Sequence, residues 1–103
     1  MKKILFALDY DGTYTRDPEL WLTFIDLLRS RGHDVVVATM RDESERHDMD
    51  PRLTSQLMIH FTSGMGKKAV LAARSVRPCI WIDDRPDWIV GDSFESYPSP
   101  PSA

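Results

Sequence analysis

One cysteine, Cys79, stands in the whole chain. A lone thiol excludes an internal disulfide framework and suits a reducing compartment. Basic residues are not in excess: 13 Lys and Arg face 16 Asp and Glu, for a net charge of -3 with His neutral. That balance advertises no nucleic-acid surface, although it leaves room for a local patch. Long apolar runs are missing as well, and none approaches the length that spans a bilayer. Met1-Lys2-Lys3 carries the charge of a signal-peptide start. The apolar run behind it, Ile4 to Leu8, is too short for the core of such a signal and stops at Asp9. No internal repeat is visible. We therefore expect a soluble, cytoplasmic protein. The rest is ordinary for a globular chain: 103 residues with a hydrophobic share of 42%, enough for one domain with a modest core.

Hydrophobic patterning predicts alternating strands and helices. Residues 4–8 (ILFAL) read as a buried strand. Asp17-Pro18 is a helix start, with Asp as N-cap and Pro at the first helical position. Trp21, Phe24, Ile25 and Leu28 then share one helical face, and Gly32 ends the helix. Val35 to Ala38 is a second short, β-branched strand that stops at Thr39. Residues 40–56 are polar, with the charged run 42–50 read as a solvated loop and Asp50-Pro51 as the start of a short helix. Leu57 to Phe61 reads as a third strand and Ser63 to Gly66 as a turn. Lys67 to Ser75 reads as a helix with Val70, Leu71 and Ala73 inward. Ile80 to Ile82 is a last strand, and Pro86 to Val90 a last helical turn. The pattern predicts a domain over 1–92 and a flexible Pro/Ser-rich tail over 93–103.

Such alternation implies an α/β fold with a parallel sheet and right-handed crossovers. Ligands of these sheets bind beyond the carboxyl ends of the strands. The chemically useful residues fall there. Asp9 and Asp11 follow the first strand, Thr39 the second, and Asp83 and Asp84 the last, while Lys67 opens the helix leading into that last strand. Carboxylates gathered at one edge repel one another and raise a pKa, unless a hard cation joins them. Oxygen ligands with few protein anchors suit Mg²⁺. A metal so placed implies an anionic ligand, most naturally phosphate, with Lys67 and the Thr39 hydroxyl supplying further contacts. One carboxylate could then attack phosphorus while a second moves protons.

These residues resemble the motifs of the haloacid dehalogenase-like (HAD) phosphohydrolases, over about residues 4–90. A strand followed by D-x-D-G-T is matched by Asp9-Tyr10-Asp11-Gly12-Thr13. A strand followed by Thr is matched by VVVAT, ending at Thr39. A lysine at a helix start is matched by Lys67 or Lys68, and a strand with paired acids by IWIDD, ending at Asp83-Asp84. The resemblance implies a three-layer Rossmann-like sheet with helices on both faces. It implies that Asp9 is the nucleophile, forming an aspartyl-phosphate, and a Mg²⁺ ligand. Asp11 becomes the general acid/base, its backbone carbonyl also on Mg²⁺. Thr39 and Lys67 become phosphate contacts, and Asp83 and Asp84 complete the metal site. Lys67 is preferred to Lys68 because it shares a face with Val70 and Leu71. Arg41 and Arg85 are candidate substrate contacts. The strings ATMRDES and IDDRP are similar to those in the phosphatase domain of phage polynucleotide kinase-phosphatases. Thr13 to Pro18 leaves no room for a cap domain and residues 40–66 little, so the chain looks capless. The implied activity is a Mg²⁺-dependent phosphomonoesterase, on nucleotides or on phosphorylated nucleic-acid ends.

Plainer readings exist for each residue. Taken singly, Asp83-Asp84 is a solvated turn, Thr39 a strand end, and Arg41 and Arg85 are surface charges. His33, His47 and His60 lack metal-ligand spacing, and Cys79 has no visible base partner. The stretch SGMGKKA looks like a P-loop, but Phe61 and Lys68 stand where that motif needs Gly and Ser or Thr. A non-enzymatic phosphoacceptor, like a response-regulator receiver domain, would also use Asp, Thr, Lys and Mg²⁺ on a parallel sheet. There the acid pair follows the first strand and the lysine the last; here an acid pair ends the last strand and the lysine precedes it. A catalytically idle binding module is the third reading.

Overall fold

The computed structural model describes residues 2–93. Of the predicted tail, 93–103, only Ser93 falls among them. Four strands form one all-parallel sheet: β1 (Leu5–Leu8), β2 (Asp34–Thr39), β3 (Ile59–Phe61) and β4 (Ile80–Ile82), in the spatial order β3-β2-β1-β4. The helices are α1 (Pro18–Ser30), α2 (Pro51–Thr54), α3 (Lys67–Ala73) and α4 (Asp87–Val90). The fold is α/β and consistent with a Rossmann-like arrangement. No helix among the described residues is long and apolar enough to cross a membrane.

The strands are short and nearly uninterrupted in apolar residues, as is usual for a parallel sheet. Phe6 and Leu8 pack with Val35, Val37, Ile59 and Phe61, and with Ile25 and Leu28 of α1. Alternate residues turn the other way: Ala7 and Ala38 pack with Leu71 of α3, beside Val36, Val76 and Trp81. Small side chains on that face let α3 lie close to the sheet. Each fully buried Ile or Leu in these clusters contributes about 1.5–3 kcal/mol relative to exposure.

Helix α1 begins as its sequence dictates. The Asp17 carboxylate accepts the Leu20 N–H at 3.2 Å, and Pro18 takes the first turn. The helix stops before Gly32, whose φ of +85° costs a residue without Cβ little. Trp21, Phe24, Ile25 and Leu28 turn inward together as the spacing predicts.

Some predicted boundaries move. The third strand is Ile59–Phe61, not Leu57 onward, because Leu57 already packs into the core from the preceding turn. Helix α3 ends at Ala73, where Ser75 takes a φ of +62°, and Ala73 is exposed rather than inward. The 42–50 run is solvated only over 42–48, since Met49 is buried in the core and Asp50 is partly covered, and it is not a loop. Glu43–Asp48 form a 3-10 helix closed by a capping box between Asp42 and Glu45. A second 3-10 turn, Tyr14–Arg16, leads into α1.

Strand order sets the site. The chain builds outward from β1 to β2 and β3, then returns to place β4 on the other side of β1. The crevice at such a reversal is where open α/β sheets bind ligands. Leu8 pairs with Val37 on one side and with Ile82 on the other. The next residue along β1, Asp9, therefore lies level with Asp83, and the Asp9 N–H donates to the Ile82 carbonyl at 2.9 Å.

Candidate active site

At this crevice three carboxylates meet. Asp9, Asp83 and Asp84 each offer an oxygen, and these oxygens all lie within 4.8 Å of one another. Lys67 reaches them from the start of α3. Its Nζ donates to Asp9 Oδ1 at 2.8 Å and to Asp83 Oδ2 at 2.5 Å. The Lys67 side chain is 1% exposed. Lys68 points to solvent, so the inward lysine is Lys67. An ammonium this deep needs such pairing, since desolvation alone would drive off its charge.

Thr13 holds the other side. Its hydroxyl lies 2.9 Å from Asp9 Oδ2 and 3.3 Å from Asp84 Oδ1, and accepts the Asp84 N–H at 3.2 Å. One hydroxyl proton serves two carboxylates, and the shorter contact goes to Asp9. Asp83 Oδ1 in turn accepts the Arg85 N–H at 2.9 Å. Gly12 makes this closeness possible. Its φ is +83°, and a Cβ there would come within 2.4 Å of Asp84 Oδ2.

Electrostatics follow from burial. Asp9 is pushed up to about 7, because desolvation outweighs the charge and hydrogen bond of Lys67, with Asp84 and Asp83 adding to the rise. Like charges about 4 Å apart cost about 4 kcal/mol at an effective dielectric of 20. One lysine does not balance three ionised acids. The donor set is all oxygen, and Asp84 remains open to solvent. Such a set fits a hard divalent cation such as Mg²⁺. A cavity of about 360 Å³ lies beside Asp83 and Asp84, walled by Thr13, Leu20, Trp21 and Ile82. Asp83 and Asp84 thus border open space on one side, while Asp9 and Lys67 are buried.

The other predicted residues are placed as follows. Thr39 is buried at the end of β2, and its Oγ1 accepts the Arg41 N–H at 3.2 Å. Asp11 lies outside the carboxylate cluster. Its side chain is bound by Arg41, with Nε 2.8 Å from Oδ2 and Nη2 2.9 Å from Oδ1. Arg85 lies over the Trp88 ring at 4.1 Å and pairs with Asp87 at 3.0 Å. The structure therefore brings together Asp9, Lys67, Asp83 and Asp84, and sets Asp11 and Arg41 beside them as a pair.

Sequence reasoning assigned no role to Thr13, although D-x-D-G-T contains it. The turn after Asp11 brings Thr13 back beneath Asp9, which linear spacing does not show. It also missed the support under the site. The Tyr10 hydroxyl accepts the Asp50 N–H at 2.8 Å, and Tyr14 donates to Asp50 Oδ2 at 2.7 Å. The Tyr10 and Tyr14 rings stack at 5.3 Å. Arg52 beside Asp50 holds that carboxyl down at about 2, with the Tyr14 hydroxyl assisting against desolvation.

Compared with known proteins, the chain matches no protein family, no curated sequence and no solved structure.

Proposed function

We propose that this chain is a Mg²⁺-dependent phosphomonoesterase of the capless HAD-like type, with a three-layer core, working through an aspartyl-phosphate on Asp9. One observation carries the reading. A buried lysine bonds Asp9 and Asp83 at once, at the carboxyl ends of β1 and β4, with Asp84 completing an all-oxygen cluster.

Bound among Asp9, Asp83 and Asp84, Mg²⁺ would cancel their mutual repulsion, favour ionised Asp9 and draw charge from a phosphate. The chain's own groups do the rest. The Asp9 carboxylate attacks phosphorus; an O–P bond forms and the bond to the leaving oxygen breaks. A protonated Asp11, freed from its pairing with Arg41, would give its proton to that oxygen. Asp11 then takes a proton from water as the water attacks phosphorus, the Asp9–phosphorus bond breaks, and phosphate departs. Lys67 holds Asp9 in place and offsets charge on the transferring group. The Thr39 hydroxyl, which accepts from the Arg41 backbone, keeps its own proton for a phosphate oxygen. Nucleotides and phosphorylated nucleic-acid ends are the substrate classes we propose.

A second reading is a phosphoacceptor module that keeps its phosphoryl group. It is favoured by the Arg41–Asp11 pair, which engages the group that would activate water. Phosphate release separates the two. The panel is p-nitrophenyl phosphate, mononucleotides and end-phosphorylated oligonucleotides, with Mg²⁺ or EDTA, and Asp9→Asn alongside. Repeated Mg²⁺-dependent turnover that the variant lacks is expected. A single labelling of Asp9 by acetyl phosphate without turnover would favour the acceptor. Neither turnover nor labelling, in folded protein with Mg²⁺, would refute both.

A further inference from the structure

We propose that the cavity beside Asp83 and Asp84 receives the base of a nucleotide, so that the substrate is a mononucleotide rather than the end of a nucleic acid. The inference rests on the phosphomonoesterase reading and chooses between the two substrate classes of that reading.

The cavity adjoins the acid cluster. Asp83 and Asp84 line it, and so does Thr13, whose hydroxyl lies 2.9 Å from Asp9 Oδ2. An ester whose phosphate sits at Asp9 therefore has this space within reach of its alcohol part. Its volume of about 360 Å³ falls among the sites of about 300–1,000 Å³ that take small molecules. Leu20, Trp21 and Ile82 give it an apolar wall. Leu20 stands in the first turn of α1 and is 54% exposed. A single open leucine is ordinary on a surface, but this one faces a cavity next to three acids. The wall is also fixed in place. The Trp21 indole N–H donates to the Thr13 carbonyl at 2.9 Å, and its ring meets Phe24 edge-on at 5.6 Å. A flat base covers such a wall, whereas a sugar phosphate leaves it in water.

Charge selects against a polymer. Arg16 also lines the cavity and has no ion-pair partner among the described residues. Its guanidinium offers donors alone, which suit the carbonyl oxygens and ring nitrogens of a base. The arginines in the segments after β2 and β4 are each matched by a carboxylate: Arg41 by Asp11, Arg46 by Glu43 and Arg85 by Asp87. A nucleic-acid end carries further phosphates, and proteins hold those with Lys and Arg that the phosphates neutralise. Arginines already paired with acids supply no such track, and a chain of net charge -3 repels a polyanion.

Removing the base provides the test. With Mg²⁺, we would compare kcat/KM for AMP and UMP, as 5′- and 3′-monophosphates, with that for ribose 5-phosphate and for a 5′-phosphorylated oligonucleotide. The best mononucleotide should exceed ribose 5-phosphate by about 5–150-fold, the range that contact with one base supplies. It should exceed the oligonucleotide at least about tenfold. Leu20→Ala, at an exposed helix position, should match wild type in circular dichroism. It should cut the mononucleotide value about 3–10-fold, through lost apolar contact, and that for ribose 5-phosphate less than about twofold. A second readout needs no turnover. Adenosine or uridine at millimolar concentration should shift the NMR methyl signals of Leu20 and Ile82, and leave those of Leu27 and Val90, exposed apolar residues outside the cavity. Equal kcat/KM for mononucleotides and ribose 5-phosphate would overturn the proposal. So would a preference for the oligonucleotide that falls steeply with salt, or equal losses on every ester in Leu20→Ala, or methyl shifts that spare Leu20 and Ile82. A folded wild type inactive on every ester with Mg²⁺ would instead refute the phosphomonoesterase reading, and this inference with it.

Discussion

Replacing Lys67 by Met keeps the volume of the buried stem and removes the charge that Asp9 and Asp83 share. The cost should depend on pH in a way that a mere packing defect would not. Asp9 sits at about 7 in the folded protein and near 3.8 when unperturbed. Its folded value is raised, so the stability it contributes is full below about pH 3.8 and lost as pH rises through about 7. Above that point wild-type Asp9 is ionised in both states and the slope vanishes. Without Lys67, the folded value moves higher, because the largest influence lowering it is gone. The variant therefore keeps losing about 1.4 kcal/mol per pH unit above pH 7, where wild type has levelled. At pH 6 Asp9 is protonated in both proteins, and the loss is that of the Asp83 pair, about 1–2 kcal/mol. By pH 9 the gap should reach about 4–5 kcal/mol, the cost of a buried carboxylate stripped of its partner. Urea denaturation in EDTA reads this directly. With a slope of about 1.5 kcal/mol per molar, the midpoint should fall about 1 M at pH 6 and about 3 M at pH 9. Lys68→Met, at an exposed position, should change stability by less than about 0.5 kcal/mol at either pH. A gap that does not widen with pH, or a Lys68 variant that behaves like Lys67→Met, would refute the coupling of Lys67 to Asp9.

Three further outcomes follow from the same geometry. Gly12→Ala places a Cβ against the Asp84 carboxylate at a positive φ; it should cost about 1–2 kcal/mol of stability and weaken Mg²⁺ binding at least about tenfold (about 1.4 kcal/mol) in calorimetry, and unchanged affinity would show that Asp84 does not hold the ion. Tyr14→Phe should cost about 1–2 kcal/mol through its bond to a charged acceptor. Because Asp50 is held at about 2, that cost should be the same at pH 5 and pH 7 and shrink only toward pH 2, and an earlier decline in a pH series of melts would contradict it. Mg²⁺ at a hundred times its Kd should stabilise the wild type by about 2.7 kcal/mol. Its apparent Kd, read from thermal shifts, should be tighter at pH 8 than at pH 6, because protonation of Asp9 competes with the ion, and a pH-independent Kd would exclude Asp9 as a ligand.

Much of the architecture was legible because it rests on local rules. Asp17-Pro18 and Gly32 bracket α1 by capping chemistry, and β-branched Val35 to Val37 form the core of β2. The convergence of Asp9, Lys67, Asp83 and Asp84 was also legible, since every parallel strand delivers its last residue to the same edge. Less visible were features that depend on chain return. The Thr13 hydroxyl reaches Asp9 through a turn of backbone, and Tyr10, Asp50 and Tyr14 meet across a sequence separation of 40 residues. The pairing of Arg41 with Asp11 was hidden for a related reason. Placing both residues at one edge did not say that they would bind each other. Residues 42–50 misled because the charge and exposure of 42–48 resemble a loop, although the Asp42–Glu45 capping box was written there in the sequence and Met49 reaches the core.

β4 lies at the border of the described sheet, hydrogen-bonded only to β1, and is three residues long. Two of the three acids extend directly from it. Border strands of this length open and close far more often than a central strand such as β1, in excursions that involve only part of the molecule. Each excursion of β4 would carry Asp83 and Asp84 away from Asp9 and erase the cluster for its duration. Anything that gathers the three acids must also hold β4 shut, so the amide protons of Cys79 to Ile82 should exchange with solvent more slowly when the site is filled. Ligand binding and the integrity of the sheet's edge are then one equilibrium observed from two ends.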